Sequence, residues 1–243
     1  FRLCTIVLSI FAAVNSTLWP MYGEASASRE WEWVQQTYDR VTYLFPVIGG
    51  VIWIGAIAFA KGIINLWVGP QAYGGMLVVF ALGGYSYIFS MANIHADMLG
   101  GLNATKNMVF IGWAEAIANI VISIALIRPL GIGGVALGTF FASLLTVSWM
   151  LPRDIGRQTK KKVKFHFRPV MRHAFFVLTP CLIMSTLIQL YWQNEIGKVL
   201  VNIIIIGIYL RLSWSAMPTD LRNLVKDTLA GLRARLFVVI QSR

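Results

Sequence analysis

The sequence predicts an all-α membrane protein, a polytopic transmembrane helical bundle of about seven spans. Three observations predict it. The 243-residue chain is 57% hydrophobic and only 13% charged, about half the charge of a soluble globular domain. Its mean hydropathy of +0.68 comes from long apolar blocks separated by short polar ones, the pattern of repeated bilayer crossings. Its basic residues also sort to one side once those blocks are counted as spans.

Crossing the hydrocarbon core takes about 20 apolar residues. Seven segments approach or meet that length: A (Leu3 to Tyr22), B (Val41 to Ala60), C (Met76 to Ala96), D (Met108 to Ile127), E (Ile132 to Leu151), F (Ala174 to Trp192) and G (Ile196 to Trp214). Each must be helical, because backbone groups in lipid are satisfied only within a helix or a closed barrel. None shows the alternation of a barrel strand.

All but four of the 21 basic residues fall in the A–B, C–D and E–F connections or in the tail from Arg211 onward. Arg2, Lys61, Arg128 and Lys198 alone lie on the other side. Cytoplasmic loops carry the excess of Lys and Arg, so those connections and the C-terminus are expected in the cytoplasm. Trp19, Trp67, Trp149, Trp192 and Trp214 stand near span ends, where an amphipathic ring prefers the headgroup zone, while Trp53 reads as a scattered apolar residue. The sequence divides into five spans (residues 1–151), a basic loop (152–173), two additional spans (174–214) and a tail (215–243). In that tail Thr219 to Ile240 has the helical spacing of an amphipathic helix lying on the membrane surface or on the protein's own loops.

The formal net charge of +11 does not point to nucleic acid, since the basic residues sit between apolar blocks rather than on one soluble face. Membrane lipids are the expected partners. Cys4 and Cys181 lie inside apolar runs and have no partners for a disulfide framework or a metal site. No charged segment with a small-residue cleavage site precedes span A, so no signal peptide is expected there. No Walker loop, H-E-x-x-H, G-x-S-x-G or dinucleotide turn occurs, so neither an enzyme nor a cofactor is expected. Asn103-Ala104-Thr105 matches a glycosylation sequon in a loop placed in the cytoplasm, where the match is accidental.

Glu115 is the one acidic residue well inside a span, and Gly112, Asn119 and Ser123 share its helix face at steps of three and four. An ionisable group there must face protein or a watery cavity. Two readings follow for Glu115, Asn119 and Ser123: a cavity-lining stripe that contacts sugar hydroxyls or a coupling ion, or interhelical hydrogen bonds that fix packing. Gly134, Gly138 and Ala142 form a small-residue face that admits a neighbouring helix. Pro129 and Gly131 predict a tight turn between D and E. His95 and Asp97 read as interface anchors, and Arg128 as a snorkelling side chain.

The stretch from Leu102 to Phe141 resembles a recurring element of the polysaccharide flippases in the multidrug/oligosaccharidyl-lipid/polysaccharide exporter superfamily. It has a polar loop after Leu102-Asn103-Ala104-Thr105, a helix with mid-span Asn119, and then Pro129, Gly131, Ile132, Gly134, Ala136, Leu137 and Thr139 opening the next helix. Span A ends Leu18-Trp19-Pro20-Met21-Tyr22-Gly23-Glu24-Ala25, similar to that family's proline-bearing helix, and Tyr38-Asp39-Arg40 precedes span B. The resemblance covers Leu3 to Leu151 and is weak beyond. It implies the C-terminal bundle of a two-bundle inner-membrane transporter, with F and G as extra helices and an N-terminal bundle missing here. It also implies a lipid-linked oligosaccharide, borne on undecaprenyl diphosphate, as the cargo. A multidrug or lipid II exporter of the same superfamily is the alternative within transport. A membrane-embedded polysaccharide polymerase is disfavoured, because no outward connection is longer than Lys61 to Gly75.

The charge sorting makes a prediction about topology. In a variant with Cys4 and Cys181 replaced, a cysteine at Lys161 is expected to be shielded from an impermeant thiol reagent added outside intact cells, and one at Gln71 labelled. The reverse pattern would invert the topology.

Overall fold

A chain in hydrocarbon must bond its own backbone, and the computed structural model meets that demand with helices alone. It describes the backbone of residues 2–228 and 230, and the side chains of residue 12 and of residues 16–228 and 230. The helices are α1 (Arg2–Ala27), α2 (Trp31–Trp67), α3 (Met76–Gly101), α4 (Lys106–Leu130), α5 (Ile132–Leu145), α6 (Val147–Gln158), α7 (Phe167–His173), α8 (Thr179–Tyr191) and α9 (Glu195–Ala216). No strand occurs among the described residues.

Six described stretches are long and apolar enough to cross a membrane: α2, α3, α4, α5 with α6, α7 through α8, and α9. They coincide with spans B to G, so the chain is an all-α, multi-pass bundle. Span A falls on α1, half of whose side chains lie outside the description. Residues 219–228 continue as helix, and the rest of the expected tail helix, apart from residue 230, lies outside the described residues.

Two connections are shorter than the sequence implies. α2 begins at Trp31, a full ten residues before span B, because Val34, Tyr38, Thr42 and Phe45 place buried side chains at helical spacing on a stretch that is polar elsewhere. The basic loop expected at 152–173 shrinks to residues 159–166. α6 carries Leu151 and Ile155 into the core on one face and leaves Arg153 and Arg157 outside it on the other.

α3 packs against α1, α2, α5 and α6, while α8 and α9 pack on α2. α4 leans on α5 and α6 and shows the surroundings most of its surface, with Phe110 70% and Trp113 66% exposed. Close approach is bought by missing side chains. A methyl group added at Gly138 would collide with the Ser123 hydroxyl, and one at Gly134 with the Leu126 carbonyl. Gly50 gives its space to the Tyr209 hydroxyl, which donates to the Val47 carbonyl at 3.1 Å. α1 runs through Pro20 without ending, and Gly23 beyond it lies against the Gly101 carbonyl of α3. Pro129 stays inside the last turn of α4, and Gly131 alone makes the turn to α5, at φ 56°.

This packing predicts that Gly138→Val lowers the thermal midpoint of the detergent-solubilised protein, by the equivalent of about 1–3 kcal/mol. Gly112→Val, where a new methyl meets open space, should leave the midpoint within error. Equal effects would contradict the α4–α5 contact.

Candidate functional site

The polar stripe on α4 turns toward α5. The Ser143 hydroxyl donates to a Glu115 carboxylate oxygen. Asn119 Oδ1 accepts from Ser123 at 2.9 Å and from Thr139 at 3.4 Å. The structure thus joins Asn119, Ser123 and Thr139 into one cluster and holds Glu115 in a second contact a turn away. Gly112, on the same face, is exposed. Glu115, Asn119 and Ser123 are half-buried, and none lines the apolar groove described next. Their partners make interhelical hydrogen bonds of the kind that fix packing in membranes.

A sizeable cavity lies elsewhere. A groove of about 680 Å³ runs between α3, α5 and α6 on one wall and α7 through α8 on the other. Trp53, Phe80 and Phe140 form one end, and Phe165 and Phe167 the other. Trp53 is not a scattered residue: it is 7% exposed, lies across Gly83 and Gly84 of α3, and meets the Phe80 and Phe140 rings at a tilt, with centroids 5.2 and 5.8 Å away. Leu178 and Leu182 form a buried floor, whereas Phe175 and Ile183 are exposed, so the groove opens sideways toward the surroundings.

Two irregularities shape the walls. Thr146 breaks the crossing into α5 and α6, its hydroxyl donating back to the Ala142 carbonyl at 2.7 Å, a bond that bends helices. Opposite, Ala174–Leu178 forms a π turn, and the Thr179 hydroxyl returns five residues to the Ala174 carbonyl at 2.8 Å. Such turns are rare and cluster at functional sites.

The Phe165 end is held by a strap. Residues 162–166 lie along the first turns of α2: Lys162 sits 4.8 Å over the Trp31 ring, and Gln35 exchanges two hydrogen bonds with the Lys164 backbone at 2.7 and 3.0 Å. Asp39 pairs with His166 at 2.9 Å. His95, expected at an interface, turns inward instead. It is 2% exposed, its Nδ1 bonds the Tyr38 hydroxyl at 2.8 Å, and its ring meets Phe165 edge-on at 5.1 Å. α7 is two-faced here: Phe167, Val170 and Met171 line the groove while Arg168 and Arg172 stay exposed.

The sequence reading missed the groove residues, because they come from separate helices and no local motif joins them. The one available signal was Phe165 and Phe167, alternating with polar residues inside a basic stretch. Among the described residues no group of three His, Cys, Asp or Glu is placed to hold a metal ion. Set against known proteins, the chain matches no family model, no curated protein and no solved structure.

The α4–α5 geometry generates a prediction. Ser143→Ala removes the donor to Glu115 and should cost roughly 1 kcal/mol of stability. Glu115→Gln keeps an acceptor and should cost less. A Ser143→Ala variant as stable as the parent, by thermal unfolding in detergent, would remove that bond from the account.

Proposed function

We propose that the chain forms one bundle of a transporter that moves an oligosaccharide linked to undecaprenyl diphosphate across the cytoplasmic membrane, with its basic end in the cytoplasm. The observation that carries this reading is the sideways-open apolar groove with Arg168 and Arg172 on the helix beside its mouth. A long isoprenoid tail is a flexible apolar chain. In a bilayer it gains little by leaving lipid for protein, since the tails around it are equally apolar. A groove can therefore select it by shape while cationic side chains hold its head, each worth about 1 kcal/mol near a membrane surface.

The resemblance of Leu102 to Phe141 to polysaccharide flippases supports the same class. So does the physics of the cargo. A diphosphate sugar carries many polar groups, each costing several kcal/mol in hydrocarbon if unsatisfied. It needs a polar path between two walls, and this bundle supplies one of them. Glu115, Asn119 and Ser123 then serve mainly to hold α4 to α5.

The test is photocrosslinking in vesicles, using an undecaprenyl-diphosphate oligosaccharide with a diazirine on its tail. Crosslinks are expected at Leu144, Phe175 and Ile183, and Thr186→Trp, which fills the groove, should reduce them several-fold. Equal labelling of Trp113 and Ile120 on the exposed face of α4 would overturn the reading. Protection by an amphipathic drug but not by excess unlabelled lipid would put a multidrug exporter in its place.

A further inference from the structure

The end of the bundle opposite the basic loops holds few cations, yet two of them converge. Lys61, in the last turns of α2, and Lys198, near the start of α9, line one cavity of about 480 Å³. Asn65, Gln189 and Glu195 add polar groups, and Phe59 and Val199 make an apolar side.

Lys198 is unusual. Only 11% of its side chain is exposed, and a buried ammonium is expensive unless its charge and donors are met. An ammonium has three donors. One goes to Glu195 Oε1 at 2.8 Å, and Glu195 is itself 74% exposed. Among the described residues no other partner of Lys198 Nζ is found, so two donors remain for the cavity. Lys61 is exposed and, among the described residues, makes no hydrogen bond or ion pair, although it lies near enough to Glu195 to help stabilise its carboxylate. Two ammonium groups against one carboxylate leave one positive charge in excess.

The surrounding structure keeps Lys198 in place. Its backbone carbonyl accepts from Asn202 Nδ2 at 2.8 Å, and Asn202 Oδ1 accepts from Ser185 at 2.6 Å, both residues being fully buried between α8 and α9. Gln189 donates to the Ala58 carbonyl at 3.0 Å and ties α8 to α2 beside the cavity. Asn194 caps α9 by accepting from the Gly197 amide at 3.0 Å. The lysine therefore stands on a rigid corner where three helices meet.

We propose that this cavity binds the phosphate of a membrane lipid, held by Lys61 and Lys198, with the lipid's apolar chains running past Phe59 and Val199. A phosphate satisfies the spare donors and the excess charge together. The apolar side restricts the ligand to a phosphate that carries a hydrocarbon chain. This rests only on the chain being a multi-pass membrane protein and is independent of the cargo proposed above.

Native mass spectrometry of the purified chain, titrated with phosphatidylglycerol, tests it. The parent should retain one phosphatidylglycerol more tightly than phosphatidylcholine. Lys61→Gln, an exposed change that the fold tolerates, should weaken that retention about fivefold. Glu195→Gln removes the competing carboxylate and should strengthen it, an outcome that simple loss of a structural ion pair would not produce. Undecaprenyl phosphate as a second probe distinguishes the sources: tighter retention than phosphatidylglycerol supports a carrier-lipid site, and weaker retention supports a bulk phospholipid site. Unchanged retention in both variants, or inorganic phosphate alone binding as well as the lipid, would overturn the proposal.

Discussion

Inside a bilayer, helices are not pressed together by the hydrophobic effect, since lipid is as apolar as leucine. What holds this bundle is close backbone approach and the few hydrogen bonds that cross between helices. Gly134 and Gly138 let α5 settle against α4. Gly50 lets Tyr209 of α9 reach the backbone of α2 near Pro46, where the Tyr209 hydroxyl also donates to the Pro46 carbonyl at 3.3 Å. Some buried hydroxyls answer to their own helices, as Ser86 does to the Leu82 carbonyl and Thr42 to the Tyr38 carbonyl, while Ser185 of α8 crosses to Asn202 of α9.

The groove follows from the same constraint. Trp53 lies flat on α3 because Gly83 and Gly84 offer no side chain to push it away, and that position makes it part of the groove wall. The kink at Thr146 and the π turn at Ala174–Leu178 both border the groove. Regular helices would pack along their whole length, so interruptions in each wall keep a space between them. The strap from Lys162 to His166 then fixes how far apart the walls stand at one end.

How much of this the sequence disclosed depended on scale. Hydropathy located the crossings B to G, because crossing lipid is a property of a contiguous stretch. The turn at Gly131 and the small face at Gly134 and Gly138 were legible for the same reason. The early start of α2 was hidden, since Glu32, Asp39 and Arg40 mark that stretch as polar while one face of it is buried. The break at Thr146 left no trace in a continuous apolar run. His95 pointed to an interface by position, and only the fold brings Tyr38 and Phe165 around it. The groove was invisible because its lining runs from Trp53 to Leu187 along the chain.

The single-residue link at Gly131 has a bearing on biogenesis. α4 finds its main partner in α5, the very next segment, and their contacts are local in sequence. Two helices so joined can pair as soon as both have left the translocation machinery, before α9 reaches the membrane, and local contacts of this kind form fast. A segment carrying Glu115 thereby enters lipid with Ser143 already beside it, and the carboxylate need not wait unpartnered for the rest of the protein to arrive.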